Sequence, residues 1–515
     1  MAKNLMVVGT SSNVGKSVLC TALCRILHQD GVRVSPFKAQ NMSLNSAVTP
    51  SGREIGRSQA VQAEACGLSA NEHMNPVLLK PMRRYRSQVI LQGRVYETQS
   101  AFGENLDGAD VIWDAVVESY NYLAARHDVL VIEGAGSPVE MNLKPRDIAN
   151  MRTAQLAEAS VLLVADIDRG GVFASLVGTM QLLTESERAR VKGIVVNKFR
   201  GDPSLFEDGV QMLEAYTGVP VLGVIPYISD LGIDEEDAVG LEGERYASHS
   251  TTAKGESAVR IAIVQLPHMS NFTDFDPLFL EPDVVVSFCP TPTDIERVHA
   301  VILPGSKNTM EDLLWLEQTG WTATLGRLHA QGTLIFGVCG GYQMLGQTVS
   351  DPTHQESLSA SLAGMGLLPV ATTLAAEKTT VLVQGKLAGD IGSLEISGYE
   401  IHMGVSTALA GYRPFAYVQG ANDDQARSDG AISEDGLVMG TYVHGIFEND
   451  AFRSRWLQQV RARFGLPAPA SGAITSVADV RLQAYDRLAD VVRAHLDMDT
   501  LYRLLDGVEA TTAQC

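Results

Sequence analysis

Short β-branched runs recur through the first 228 residues, each followed by a polar loop and an amphipathic segment: NLMVVG, RVSPF, DVLVIEG, SVLLVAD, KGIVVNK and PVLGVIP. A run that is apolar at nearly every position, rather than at every second one, is covered on both faces. That is the pattern of a parallel strand in a three-layer α/β sheet, with helix-period segments forming the outer layers. From 232 to 258 the rhythm stops in GIDEEDAVGLEGERYASHSTTAKGESA, which is acidic and then Ser/Thr/Gly-rich. Such a composition buries little apolar surface and marks a linker. The strand pattern restarts with VRIAIVQL, DVVVSFC, AVILPGS and GTLIFGVCGG. The prediction is two three-layer α/β domains, residues 1–231 and 259–515, the second ending in helices from about Ser476 whose apolar spacing is that of packing.

Composition narrows the class without changing this picture. A chain of 515 residues is long for one core, and 45% apolar with 19% charged residues is ordinary for a globular protein. No apolar run approaches the roughly 18 residues that span a bilayer, and MAKNLMVVGT is too short in apolar residues for a secretory signal, so a cytoplasmic location is expected. The six cysteines lack paired spacing, which predicts reduced thiols rather than a disulfide framework or a thiolate zinc site. A net charge of −20 opposes binding to nucleic acid or anionic membrane. An anionic ligand then needs a local basic patch, and LLKPMRRYRSQVILQGR offers Lys80, Arg83, Arg84, Arg86 and Arg94. The same residues also fit a solvated strand edge.

Two stretches carry chemistry. In NLMVVGTSSNVGKSVLC a strand enters a glycine-bounded loop and then a helix near Lys16. Five residues separate Gly9 from Gly15, one more than in the usual G-x-x-x-x-G-K-[ST] loop. Backbone N–H groups of such a loop face a phosphate, with Lys16 adding charge and the Ser17 hydroxyl a ligand for Mg²⁺. Gly9, Thr10, Asn13, Gly15, Lys16 and Ser17 are the nucleotide-binding candidates. Glu133, ending the apolar run DVLVIE, is the second metal candidate, because a carboxylate there is costly to bury unless it meets a cation. Asn197 ends another strand, where its amide reads a purine edge or caps a turn.

The second stretch, GTLIFGVCGGYQMLG, puts Cys339 after a strand and before a Gly-Gly helix start, an exposed turn at a helix N-terminus that activates a thiol. The N–H of Gly340 and the Gly305 segment of VILPGSKNT are the oxyanion-hole candidates. A nucleophilic thiol requires a base, and His444 in GLVMGTYVHGIFEN follows an apolar strand of the same domain.

With its long loop and EGAG around Glu133, the first domain resembles the dethiobiotin synthetase type of P-loop domain, whose members use ATP to activate a carboxylate. On GVCGGYQMLG and YVHGIFEN the second resembles class I glutamine amidotransferases. That resemblance implies attack by Cys339 on the glutamine side-chain amide, proton shuttling by His444, and release of ammonia. Common class I domains place a Glu two residues after the histidine, whereas this chain has Ile446. The departure is shared by the cobyric and cobyrinic acid synthase family and leaves the group that orients the imidazole unassigned, with Glu448 as a guess. Glu400 and His402 of SGYEIHMG are placed beside the site in support. FKAQNMSLNS, PRDIANM, DIDRGGVFAS, NKFRGD and SNFTDFDPL extend the resemblance to that family over nearly the whole chain.

The resemblance implies ATP, Mg²⁺ and glutamine as ligands and passage of ammonia between the domains. It also implies amidation of the b, d, e and g side-chain carboxylates of adenosylcobyrinic acid a,c-diamide in cobalamin biosynthesis. A polyanionic corrinoid suits the basic patch, Arg84 included, and the loop carrying Gln40, Asn41 and Asn45, which is read as facing nucleotide, metal or substrate. Cobyrinic acid a,c-diamide synthase is the nearest alternative, and AQNMSLNS and DIANM weigh against it. A nucleotide switch of the ParA/MinD kind with an inactive amidotransferase domain is the alternative from another class, opposed by intact Cys339 and His444.

Overall fold

In a computed structural model, residues 2–82, 86–100, 109–229, 231–233, 257–295, 297–389, 392–421, 423–469 and 474–507 are described. Contacts divide the chain into two units: Met1–Ser43, Ile55–Asp234 and Arg481–Cys515 form one, Leu44–Glu54 and Glu235–Val480 the other.

In unit 1 the apolar runs become β1 (Lys3–Gly9), β2 (Val34–Phe37), β3 (Val129–Glu133), β4 (Ser160–Asp166), β5 (Val191–Phe199) and β6 (Val221–Pro226). They form one parallel sheet in the order β6-β5-β4-β1-β3-β2. The chain starts in β1 and later fills both of its sides, so the order reverses there. Ligands of open parallel sheets gather at the carboxyl ends of strands at such a reversal. Register pairs Val7 with Glu133, which brings the end of β3 beside the loop that leaves β1. A smaller sheet of Gln40–Met42, Val77–Met82, Arg86–Leu91 and Arg94–Ser100 carries the basic stretch. Lys80 is buried in it, and Arg83 and Arg84 lie outside the described residues.

Unit 2 repeats the layered plan with β7 (Val259–Val264), β8 (Val284–Cys289), β9 (Ala300–Leu303), β10 (Leu334–Val338), β11 (Ala431–Ile432) and β12 (Val438–Thr441), in the order β8-β7-β9-β10-β12-β11. All but β11 run parallel. Phe336, Phe415, Phe447, Phe452 and Trp456 meet edge-on or tilted in its core. A sheet antiparallel in all but one pairing is built on the long strands Val370–Leu387 and Glu395–Ala408.

Two expectations about boundaries need correction. The C-terminal helices were placed with residues 259–515, yet the chain passes into unit 1 within the helix Val477–His495. Tyr485, Leu488, Val492, Leu501 and Leu504 share a core with Leu19, Leu23 and Ile26 of the helix Lys16–Gln29, and Arg25 pairs with Asp486 at 2.7 Å. An apolar stripe shows which face of a helix is buried but not which partner buries it. Conversely, Leu44–Glu54 leaves the first half of the sequence for unit 2, where Val48 packs on Tyr399 and Ile401. Most of the expected linker 232–258 lies outside the described residues. Among the described residues no helix is long and apolar enough to cross a membrane.

Candidate active sites

The first site grows from β1. Gly9 ends the strand with no room for a side chain, since a Cβ there would lie 2.6 Å from Val14 Cγ2. Thr10 N–H donates to the Val164 carbonyl at 2.9 Å, and the loop turns through left-handed Asn13 (φ 60°) and Gly15 (φ 97°) into the helix Lys16–Gln29. Two lysines hold the loop carbonyls. Lys16 Nζ donates to Ser11 O and Gly136 O, each at 3.0 Å, and Lys198 Nζ donates to Asn13 O at 2.6 Å. Asn197 donates to Val14 O at 2.8 Å, so its amide nitrogen braces the loop.

Behind the loop, Glu133 is fully buried. Ser17 Oγ donates to its Oε1 at 2.7 Å, Lys38 Nζ sits on the same oxygen at 2.8 Å, and Gln62 Nε2 donates to Oε2 at 2.6 Å. A buried carboxylate is tolerated when a charge and hydrogen bonds answer both oxygens, and Lys38, itself buried, provides the charge. Sequence reasoning reached Ser17 and Glu133 but not Lys38 or Gln62. The signal for Lys38 was a lysine directly after the apolar strand β2. A hydroxyl and a carboxylate converging in this way are the hard oxygen donors that suit a small divalent cation completed by phosphate oxygens and water.

The second site grows from β10. Cys339 takes φ 50° and ψ −110°, an unfavourable conformation for a residue with a side chain, and the helix Gly340–Leu345 starts immediately after it. Its N–H donates to Thr441 O at 2.8 Å. The turn is tight enough that a side-chain carbon at Gly341 would collide with the Leu303 carbonyl. Gly340 packs so closely on the next loop that a Cβ would stand 2.9 Å from the Ser306 nitrogen, and one at Gly305 would stand 3.2 Å from His444 Cε1. The two oxyanion-hole candidates therefore flank the thiol and the imidazole.

The Cys339 sulfur is close enough to the His444 imidazole to act on it electrostatically, and the buried thiol itself donates to the Ile401 carbonyl at 3.5 Å. On the other side of the ring, Nδ1 lies 2.6 Å from Asp274 Oδ2, while Gly445 N–H donates to Oδ1 at 3.0 Å. Burial pushes the imidazole down, but the negative charge of Asp274 and then Cys339 outweigh it and hold His444 at about 10. Asp274, not Glu448, is thus the group that orients the histidine. Ile446, where common relatives carry the orienting Glu, is wholly buried in the apolar core. Asp274 stands within FTDFDPLF, an acid among aromatics, and that burial was the legible hint of a partner.

Glu400 and His402 lie close by: His402 Nε2 is 3.0 Å from Glu400, whose oxygens also accept from Arg427 at 2.7 and 2.8 Å. The His402 ring stacks on Tyr442 at 3.8 Å. The loop read as a single ligand-facing element is divided, with Gln40 and Asn41 in unit 1 and Asn45 in unit 2. Asn41 is buried, its amide nitrogen donating to Gln59 Oε1 at 3.0 Å.

Known proteins share this construction. Residues 260–452 match the family described as CobB/CobQ-like glutamine amidotransferase domain, and residues 3–234 match one described as AAA domain. The chain is 46% identical over 512 residues to cobyric acid synthase of Citrobacter koseri, covering 98% of this chain and 99% of the relative. It is 48% identical over 514 residues to cobyric acid synthase of Caldanaerobacter subterraneus subsp. tengcongensis, with the same coverage. A solved structure described as a glutamine amidotransferase is 16% identical, covering 40% of this chain and 98% of its own length, with a TM-score of 0.30, too low to carry weight.

Proposed function

The chain belongs to the cobyric acid synthase family, and on that premise we propose that it amidates the b, d, e and g side-chain carboxylates of adenosylcobyrinic acid a,c-diamide. Nitrogen comes from glutamine and the driving force from ATP. The observation that carries the reading is the pairing, in one chain, of the Cys339–His444–Asp274 line with the Gly9–Ser17 loop and its buried Glu133.

In unit 2 the Cys339 sulfur attacks the carboxamide carbon of glutamine. His444 takes the thiol proton and returns it to the departing nitrogen, leaving a thioester that water hydrolyses to glutamate. Gly340 and Gly305 offer backbone N–H groups to the oxyanion. Asp274 holds the imidazole in the tautomer and plane this transfer needs. In unit 1 the loop Gly9–Gly15, with Thr10 and Asn13, and Lys16 bind the ATP phosphates, while Asn197 steadies the loop. Ser17 and Glu133 are the residues that would hold Mg²⁺, which supplies charge neutralisation for phosphoryl transfer when bound. Lys38 pairs with the same carboxylate oxygen at 2.8 Å. The acid of the substrate becomes an acyl phosphate, and ammonia displaces phosphate to give the amide. Gln40, Asn41, Asn45 and Arg84 remain the proposed corrinoid contacts.

The test is nitrogen-source dependence. Cys339→Ala should form no amide from glutamine yet continue with ammonium, amides being counted by mass spectrometry of the corrinoid. Loss of both activities contradicts a divided mechanism, and undiminished glutamine use removes Cys339 from it.

A further inference from the structure

The base of the glutaminase centre is held by more than its carboxylate. A hydrogen bond from Nδ1 to Asp274 fixes one atom of the His444 ring but leaves the ring free to tilt about that bond, and a tilt swings the opposite nitrogen away from Cys339. The tilt is blocked by Tyr399, whose ring lies parallel to the imidazole, 5.3 Å between centroids and 16° between planes. The two residues also exchange backbone hydrogen bonds, His444 N–H to Tyr399 O at 2.8 Å and Tyr399 N–H to His444 O at 3.2 Å.

Tyr399 is itself pinned. Its phenol donates to the carbonyl of Ser46 at 3.1 Å and accepts from Asn271 Nδ2 at 3.3 Å, and Ser46 N–H donates to Asn271 Oδ1 at 3.0 Å. The three residues close a ring of hydrogen bonds, all of them buried. Asn271, in the left-handed conformation at φ 51°, starts the short helical turn Phe272–Phe275 that carries Asp274, and Asp274 N–H donates to Asn271 O at 3.0 Å. The plate under the imidazole and the turn bearing its carboxylate therefore meet at the backbone of one residue, Ser46, through its carbonyl and its N–H. Ser46 lies in Leu44–Glu54, the stretch that comes from the first half of the sequence and packs within unit 2.

We propose that Tyr399 and Asn271 are positioning residues for His444, tied to each other directly and through the Ser46 backbone, so that Leu44–Glu54 is a working part of the glutaminase centre. The proposal rests on the reading of His444 as the base. It accounts for a tyrosine, rather than a phenylalanine, at a buried stacking position, and for a segment of the first half of the chain reaching the second unit.

The experiment measures glutamine hydrolysis by the full-length protein, with kcat and KM determined separately, for Tyr399→Phe, Tyr399→Leu, Asn271→Ala and the reference His444→Ala. Tyr399→Phe keeps the plate and loses both phenol hydrogen bonds, and should lower kcat about 10-fold with KM little changed. Tyr399→Leu removes the plate and should cost about 100-fold, the size expected for a catalytic group displaced by about 1 Å. Because Tyr399 and Asn271 share one ring, Tyr399→Phe with Asn271→Ala should lose less than the product of the single losses. Should Tyr399→Leu fail to fold by thermal melting, Tyr399→Phe decides alone. Native kcat in Tyr399→Phe and Tyr399→Leu beside an inactive His444→Ala overturns this proposal only. Glutamine turnover by His444→Ala overturns the base assignment and the proposal with it.

Discussion

Replacing Asp274 by asparagine isolates the charge that sets the glutaminase base. The carboxylate contacts His444 Nδ1 at 2.6 Å and the Gly445 N–H at 3.0 Å, and asparagine keeps the size while losing the charge. Burial alone would press the imidazole below its ordinary 6.5, yet Asp274 and Cys339 lift it to about 10. An opposite charge at this range moves a pKa by about 1 to 3 pH units, roughly 1.4 to 4 kcal/mol at 1.36 kcal/mol per unit. The sign follows from the step the imidazole performs. Protonated His444 delivers the proton to the departing ammonia, so turnover declines as pH rises through its pKa. Without Asp274 that pKa falls, and the decline begins about 1 to 3 pH units lower. Loss of tautomer control also reduces kcat by about 10²- to 10⁴-fold, the range of general acid–base contributions. The assay is kcat/KM for glutamine hydrolysis from neutral to alkaline pH, with Glu448→Gln in parallel. An unmoved alkaline limb in Asp274→Asn, or an equal movement in Glu448→Gln, refutes the reasoning.

Lys16→Ala should stop amide formation from glutamine and from ammonium alike while glutamine hydrolysis persists, read by corrinoid mass spectrometry beside glutamate release. Lys38→Met leaves the buried Glu133 carboxylate without its cation and should cost about 3 to 5 kcal/mol in a thermal melt, with Mg-nucleotide restoring part of the loss. Gly341→Ala drives a methyl into the Leu303 carbonyl; it should destabilise by about 1 to 3 kcal/mol or more by denaturant titration and disable the Cys339 turn. Asp429 is raised from 3.8 to about 7, first by burial and then by the charge of Glu400. Between those values the folded state keeps a proton that the unfolded chain has released, so its contribution to stability falls as pH rises; Asp429→Asn should flatten the melting temperature over that interval.

The sheets were legible because strands buried on both faces leave nearly unbroken apolar runs, as β1, β4 and β10 do. Cys339 and Lys16 were legible for a related reason: a strand that ends in glycines and opens a helix is a local arrangement, written in consecutive residues. What was hidden is what distance along the chain conceals. Asp274 stands 170 residues before His444, and nothing in the spacing of either says that a left-handed Asn271 turns the acid toward the imidazole. Lys38 and Gln62 converge on Glu133 from two other elements, and only the packed sheet brings them together. The helices after Ser476 showed the correct periodicity and were given the wrong neighbour, since the period of a helix describes its own face alone. Nothing in Leu44–Glu54 names the unit that receives it, since the hydrogen bonds at the Ser46 backbone are made by groups every residue carries.

The exchanged segments also bear on how the protein is made. A ribosome releases Leu44–Glu54 long before the strands that will receive it, and unit 1 acquires Leu501 and Leu504 of its interior only after the last residue of unit 2 has been made. Unit 1 cannot be completed until all of unit 2 has been synthesised, and a single cut between residues 234 and 256 would leave each fragment short of a piece the other retains.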